Sequence, residues 1–163
     1  MISTNASFEA DVAGGKIHPQ SLQGQFTAKY FTGDQNSLIE KLKNGLKDVP
    51  GPPYSLGTTV PVSTHGKTFY FVAMSHLNEE GTAFSTPEGV DQAMRGLWGY
   101  VRTAGELQEL VVPIIGTARG RLKIPRQKMI DEFQSRSWRL RSLANSPIGL
   151  LPWFIQMTRR SSK

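Results

Sequence analysis

The sequence contains no cysteine among its 163 residues. This absence excludes disulfide bonds, thiolate metal ligands and a cysteine nucleophile. Only three histidines are present, and because His18, His65 and His76 are dispersed along the chain, their spacing argues against a zinc site. We therefore expect no metal site.

Long hydrophobic runs are also missing. The longest late apolar stretch, residues 148–157, is interrupted by Pro152 and is too short to span a bilayer. Residues 1–5 lack the basic and apolar regions of a signal peptide. The chain as printed is therefore expected to be cytoplasmic.

Basic residues outnumber acidic ones, 19 to 13, which leaves a net charge of +6. Such a balance favours anionic partners, namely nucleotides, nucleic acid or a membrane surface, but selects none of them. Hydrophobic content of 38% and charged content of 20% are those of an ordinary globular protein. The length predicts a single domain over residues 1–163.

Hydrophobic periodicity predicts alternating strands and helices. Helices are expected to begin near Ser21, after a capping residue at Asn36 or Ser37, after Thr86 and at Pro125, the last of them running to about Trp138. Strands are expected over residues 2–5, 54–62, 67–77, 110–115 and 150–157. This alternation predicts an α/β sandwich with helices on both sheet faces, in which ligands lie beyond the carboxyl ends of the strands.

The loop at residues 116–121 (GTARGR) follows one such strand. Gly116 and Gly120 allow the backbone to turn and approach a ligand, Thr117 offers a hydroxyl, and Arg119 and Arg121 add positive charge. The loop matches neither a P-loop nor a dinucleotide-binding fingerprint. A plain turn with its arginines in water is the alternative interpretation.

A second candidate site lies in the first 25 residues. Asn5 ends a short strand and could bind a ribose hydroxyl, Phe8 could stack on a base or ribose, and the helix start over residues 21–25 could hold a phosphate. Each has a structural alternative, with Asn5 as a turn residue and Phe8 as part of the core.

Taken in order, the motifs NASFEAD (5–11), IHPQSLQGQF (17–26), YSLGT (54–58) and PIIGTAR (113–119) resemble those of macro domains. The resemblance is sharpest to the macro domains of Thoeris-type bacterial antiviral effectors of transmembrane-macro architecture, and it covers roughly residues 2–135. In this comparison Ala118 stands at the middle glycine of the phosphate loop.

The resemblance implies a macro-domain-like three-layer α/β/α sandwich with a mixed sheet. It implies binding of an ADP-ribose derivative, made from NAD by a TIR-domain enzyme, and no further cofactor. Carried over by position, the ligand-binding residues would be Asn5, Phe8, Asp11, Ser21, Leu22, Gln23, Gly24, Gln25, Gly116, Thr117, Ala118, Arg119, Gly120 and Arg121.

Three departures from the family pattern affect this expectation. Gln23 stands where the family usually has histidine, and Glu9 replaces the usual aspartate after Phe8. The printed chain also begins at the strand that carries Asn5, without the earlier strand and the aspartate that reads adenine. Membrane contact is expected only through segments absent from this chain, which in the full-length protein would include an inner-membrane anchor. A homo-oligomer is a further expectation.

Binding without turnover is the favoured function, as the sensor domain of an anti-phage effector. Neither the paired-glutamate nor the Asn-Asn-Asp motif of the hydrolytic macro domains is found, so an ADP-ribosyl hydrolase is the first alternative. Tryptophans and arginines interleave over residues 138–141 and 153–160, as in single-strand binders. A nucleic-acid-binding domain is therefore the second alternative, although no motif supports it.

Overall fold

The computed structural model describes residues 1–104, 109–113, 138–142 and 154–159. The strands in chain order are β1 (Ile2–Asn5), β2 (Thr59–Thr64), β3 (Lys67–Leu77), β4 (Ala83–Phe84), β5 (Glu109–Pro113), β6 (Trp138–Ser142) and β7 (Phe154–Arg159). The helices are α1 (Leu22–Tyr30), α2 (Gln35–Leu46) and α3 (Pro87–Ala104).

Strand β3 is the longest of the described strands and is central to the first sheet. It pairs in parallel with β1 and antiparallel with β2 and β4. Strands β5, β7 and β6 form an antiparallel group in that order. The amino group of Met1 donates to the Val111 carbonyl at 2.7 Å, so the beginning of β1 lies beside β5.

The side chains of β3 alternate between two hydrophobic clusters, as the pleat of a strand requires. Phe71 and Ala73 pack in the cluster that α1 and α2 cover. Tyr70, Val72 and Met74 pack in the cluster that α3 covers. Both faces of the mixed sheet are therefore covered by helices, which confirms the predicted fold class.

The residues at the beginning of α3 explain why a helix forms there. The Thr86 hydroxyl accepts a hydrogen bond from the Gly89 amide at 3.0 Å, and Pro87 occupies the first helical position. The core-facing residues predicted from their spacing are all buried, namely Val90, Met94, Leu97, Trp98 and Val101.

The beginnings of α2 and β2 differ from the prediction. Helix α2 begins at Gln35, and its N-cap is Asp34 rather than the predicted Asn36 or Ser37, because the Asp34 carboxylate accepts from the Ser37 amide at 3.3 Å. Strand β2 begins at Thr59 rather than at residue 54, since the chain before it turns at Gly57, whose φ is +91°.

Trp138, predicted to end a helix, instead begins strand β6. The rest of that predicted helix, the loop at 116–121 and residues 150–153 of the last predicted strand lie outside the described residues. Strand β7 begins at Phe154 and continues two residues beyond the predicted end.

Candidate functional site

The carboxyl ends of β1 and β3 form a crossover point in the sheet. The two strands are neighbours and run parallel, with Asn5 opposite Ser75 at the end of their pairing. The chain leaves β1 toward α1 on one face and leaves β3, through β4, toward α3 on the other. Loops that diverge in this way leave a crevice between them, which is where open α/β sheets bind ligands.

Backbone hydrogen bonds join the loops at this edge. The Ala6 amide donates to the Ser75 carbonyl, and the Tyr54 amide donates to the Ala6 carbonyl, both at 2.7 Å. The loop after β1, the end of β3 and the loop before β2 are therefore held as one unit.

Asn5 shapes the loop that follows β1. Its side-chain oxygen accepts from the amides of Ser7 at 3.0 Å and Glu9 at 3.2 Å, and its carbonyl accepts from the Phe8 amide. The register with β3 also shifts between Thr4 and Asn5. These contacts are those of the turn residue that the sequence left as an alternative, and a bond to ribose stays a prediction.

Phe8 is buried in the α1–α2 cluster rather than lying open on the surface. Its ring makes an edge contact with Tyr54, with centroids 5.6 Å apart. Its φ of 51° is unusual for a bulky residue and follows from the tight turn after Asn5. The burial favours the core role of Phe8, so contact between its ring and a ligand stays a prediction.

The N-terminus of α1 lies against the loop after β1. The Ser21 hydroxyl accepts from the Gly24 amide at 3.0 Å and so caps α1, which begins next to Ser21 as predicted. A β-carbon on Gly24 would clash with the carbonyl oxygens of His18 and Pro19. Gly24 is therefore required by the close approach of the preceding loop, independently of any ligand.

The other residues of the predicted phosphate-binding turn face different ways. Gln23 is buried and its side-chain amide donates to the Glu9 carbonyl at 2.7 Å. Leu22 is partly buried against the core, and Gln25 is exposed and donates to the Gln20 carbonyl. Of the three side chains, only that of Gln25 faces solvent.

Asp11 fixes the middle of the long loop. Its carboxylate accepts from the Gly14 amide at 2.7 Å and from the Gln35 side chain at 3.2 Å. The Gly14 amide, then the Gln35 amide and the Lys16 charge, lower the pKa of the Asp11 carboxyl below its ordinary value, although desolvation opposes them. Lys16 itself pairs with Glu9 at 3.1 Å.

The structure thus brings Asn5, Phe8 and Asp11 into one region with residues 21–25. It does not test the late loop, since Gly116, Thr117, Ala118, Arg119, Gly120 and Arg121 lie outside the described residues. In the part of the chain that is described, no three histidine or acidic side chains gather where they could hold a metal ion.

Sequence reasoning missed the contribution of the end of β3 to this edge. Ser75 pairs with Asn5, and the hairpin of β3 and β4 extends past that pair, with His76 opposite Phe84. The hairpin itself is indicated by the sequence, since the apolar run of β3 is followed by a polar turn, Asn78 to Thr82, before α3. The parallel pairing with β1 could not be deduced from that pattern.

Comparison with known families agrees with this architecture. A mixed sheet between helical layers, with its loops gathered at the ends of β1 and β3, defines an α/β domain of the macro type. The family model described as "Thoeris protein ThsA, Macro domain" matches residues 1–137. The chain therefore belongs to the family of Thoeris ThsA macro domains, which gives it a role in anti-phage defence. No curated protein matches the sequence.

The membership confirms the resemblance to a Thoeris-type macro domain. The matched range includes the loop at 116–121, which the structure does not describe. Among the helices of the described ranges, none combines the length and the apolar character that a membrane span requires.

Proposed function

We propose that this domain binds an ADP-ribose-derived nucleotide signal, such as histidine-linked ADP-ribose made from NAD by a TIR-domain enzyme. The domain would act as the sensor of a defence effector and would release the ligand chemically unchanged. Homo-oligomeric assembly, and an inner-membrane anchor in segments outside this chain, belong to the same proposal.

The observation that carries the proposal is the divergence of the connections that follow β1 and β3 toward opposite faces of the sheet. A nucleotide diphosphate needs backbone amides and a helix N-terminus near the crevice that such connections leave. Helix α1 begins there with a capped N-terminus and no acidic residue in its first turn. The loop at 116–121 would supply the second set of amides together with Arg119 and Arg121.

Binding without turnover is supported by how the nearby carboxylates are used. Glu9 pairs with Lys16, and Asp11 is held by Gly14 and Gln35. A general acid must carry a proton near neutral pH, whereas these contacts lower the pKa of Asp11 and keep it ionised. Asp11 is therefore not arranged for acid catalysis.

The test is thermal unfolding of the purified chain with a panel of ligands. The panel comprises ADP-ribose, histidine-linked ADP-ribose, cyclic ADP-ribose isomers, NAD and a short oligonucleotide. A ligand at a hundred times its Kd adds about 2.7 kcal/mol, which raises Tm by several degrees. We expect one ADP-ribose derivative to do so and to be recovered intact by mass spectrometry.

Other outcomes would overturn the proposal. Recovery of a cleaved ligand would make the domain an ADP-ribosyl hydrolase, and a shift with the oligonucleotide alone would make it a nucleic-acid-binding domain. Gly116→Val is the matched variant, because a β-branched side chain in the late loop should abolish binding and leave Tm without ligand unchanged. Normal binding by that variant would remove the loop from the site.

A further inference from the structure

The two ends of strand β3 lie in turns of opposite charge. Its first residue, Lys67, closes the turn that joins it to β2, and its last, Leu77, leads into the turn that joins it to β4. At a rise of about 3.3 Å per residue, the 11 residues of β3 place the two turns more than about 30 Å apart. This distance exceeds the Debye length of about 8 Å at physiological salt, so the two turns present separate surfaces to a partner.

The turn between β2 and β3 combines positive charge with aromatic rings. His65 and Lys67 are exposed in it. The Tyr30 ring, at the end of α1, lies 5.4 Å from the His65 ring, and the Lys29 ammonium lies 5.5 Å from the centre of the Tyr30 ring. Half-buried Phe69 contacts Tyr30 in turn, with centroids 4.9 Å apart. These five residues together are called the basic end.

The turn between β3 and β4 combines negative charge with an exposed ring. Glu79 and Glu80 are exposed, and residues 77–87 contain no basic side chain. Phe84 is 46% exposed and is the one large hydrophobic residue with an exposed side chain in the described part of the chain. The side chain of Asn78 closes the turn by accepting from a backbone amide at 2.7 Å, so the turn is held in one shape. Glu79, Glu80 and Phe84 together are called the acidic end.

The two ends are complementary to each other and not to themselves. In a contact between unlike ends, lysine ammonium groups would meet glutamate carboxylates, and the Phe84 ring would meet the rings of Tyr30 and Phe69. Two like ends would repel each other, which disfavours a symmetric pair through either end. A contact between unlike ends leaves one unused end of each kind on every pair, so further copies can add in the same direction.

We propose that copies of this domain associate head to tail, with the acidic end of one copy docked on the basic end of the next. The inference rests on the assembly included in the proposed function, and it gives that assembly a contact and a direction. Because both ends are small surfaces, each contact is expected to be weak and to depend on protein concentration.

The test is sedimentation velocity of the purified chain, without ligand, over a range of protein concentrations. We expect species larger than a monomer at low ionic strength. Raising the ionic strength from about 0.01 M to about 1 M shortens the Debye length from about 30 Å to about 3 Å and should reduce the association. Phe84→Ala should raise the Kd of self-association about 10-fold, because it removes the aromatic anchor of the acidic end.

Charge reversal identifies which surfaces meet. The double variant Lys29→Glu, Lys67→Glu makes both ends negative, and the double variant Glu79→Lys, Glu80→Lys makes both ends positive. Each double variant alone should therefore remain monomeric. An equimolar mixture of the two should associate again, since the ends of one are complementary to the ends of the other. Lys41→Glu, on the exposed side of α2, is the matched control and should leave the association unchanged.

Three results would overturn the inference. They are a wild-type chain that stays monomeric at every concentration and low ionic strength, association that persists in both double variants, and a mixture that stays monomeric. All the substituted residues are exposed, so the variants are expected to keep the wild-type Tm. None of these results changes the outcome of the ligand panel, which is measured by Tm and by the mass of the recovered ligand. Conversely, a panel in which no ligand raises Tm would overturn the proposed ligand and leave the contact between copies standing.

Discussion

The side-chain amide of Gln23 donates to the carbonyl oxygen of Glu9 across 2.7 Å, although 14 residues separate them in the chain. This bond joins the first turn of α1 to the loop that follows β1. Gln23 is buried, so its position is fixed by a protein partner. Gln23, which stands where the family usually has histidine, therefore fixes the loop after β1 through a buried contact.

Replacing Gln23 by alanine should lower stability by about 1–3 kcal/mol, because the Glu9 carbonyl loses a part-buried donor. Gln23→Met keeps the length of the side chain but lacks the amide donor. It should therefore lower stability less than Gln23→Ala does, by the part of the loss that comes from packing. Urea unfolding monitored by circular dichroism measures both.

Gln25→Ala is the control for this prediction. Gln25 lies on the same helix and also donates to a carbonyl, that of Gln20, but it is exposed. Its replacement should change the free energy of unfolding by less than about 0.5 kcal/mol. Equal losses for Gln23→Ala and Gln25→Ala would mean that the bond to Glu9 does not hold the loop.

The sequence predicted α3 and β3 closely, because their signals are local. Thr86 and Pro87 begin α3, and the apolar run of β3 has the length and composition of a buried strand. The beginning of α2 was misplaced because Asp34, Asn36 and Ser37 are all good capping residues. Only the folded backbone decides which of them caps the helix.

The candidate site was less predictable, because the direction of a polar side chain is a tertiary property. Asn5 and Ser21 lie where their positions indicated, Asn5 at the end of β1 and Ser21 at the beginning of α1. The spacing of residues 21–25 gave no sign that Gln23 faces inward while Gln25 faces solvent. Nor could it show that Phe84, far along the chain, lies at the same edge of the sheet.

Asp11 should make stability depend on pH. The Gly14 amide, then the Gln35 amide and the Lys16 charge, lower the pKa of the folded carboxyl. Its contribution is therefore fully present above the unfolded pKa of about 3.9 and is lost as pH falls through the lower folded value. The stability difference between wild type and Asp11→Asn should shrink from about pH 6 to about pH 3.

Guanidinium unfolding at a series of pH values measures that difference. Gln35→Met removes one donor to the carboxylate and should flatten the pH dependence while leaving the Gly14 bond in place. A difference between wild type and Asp11→Asn that stays constant across the range would show that the folded and unfolded carboxyls titrate alike.

Gly57 and Gly96 bring the loop before β2 against helix α3. A β-carbon on Gly96 would lie 2.7 Å from the carbonyl carbon of Gly57, which is backbone and cannot rotate away. Gly96→Ala should therefore destabilise the domain by about 1–3 kcal/mol. Gly99, on the same helix, has nothing within 4 Å of such an atom, so Gly99→Ala should stabilise by about 0.5–1 kcal/mol. In thermal unfolding, the two variants should change Tm in opposite directions. A higher Tm for both would mean that the loop before β2 moves to accommodate the added β-carbon of Gly96→Ala.

Variants of Ser21 can distinguish the capping of α1 from the proposed binding of an anion at the beginning of that helix. Ser21→Ala should cost about 1 kcal/mol, because the Gly24 amide loses its acceptor. Ser21→Asn and Ser21→Asp both keep a capping oxygen and should keep Tm near the wild-type value, the aspartate being favoured by the helix dipole. A carboxylate at that point would nevertheless repel a diphosphate, so Ser21→Asp should weaken ADP-ribose binding while Ser21→Asn should not. Titration calorimetry of the two variants decides the matter, because equal affinities would show that the ligand's phosphates lie away from the beginning of α1.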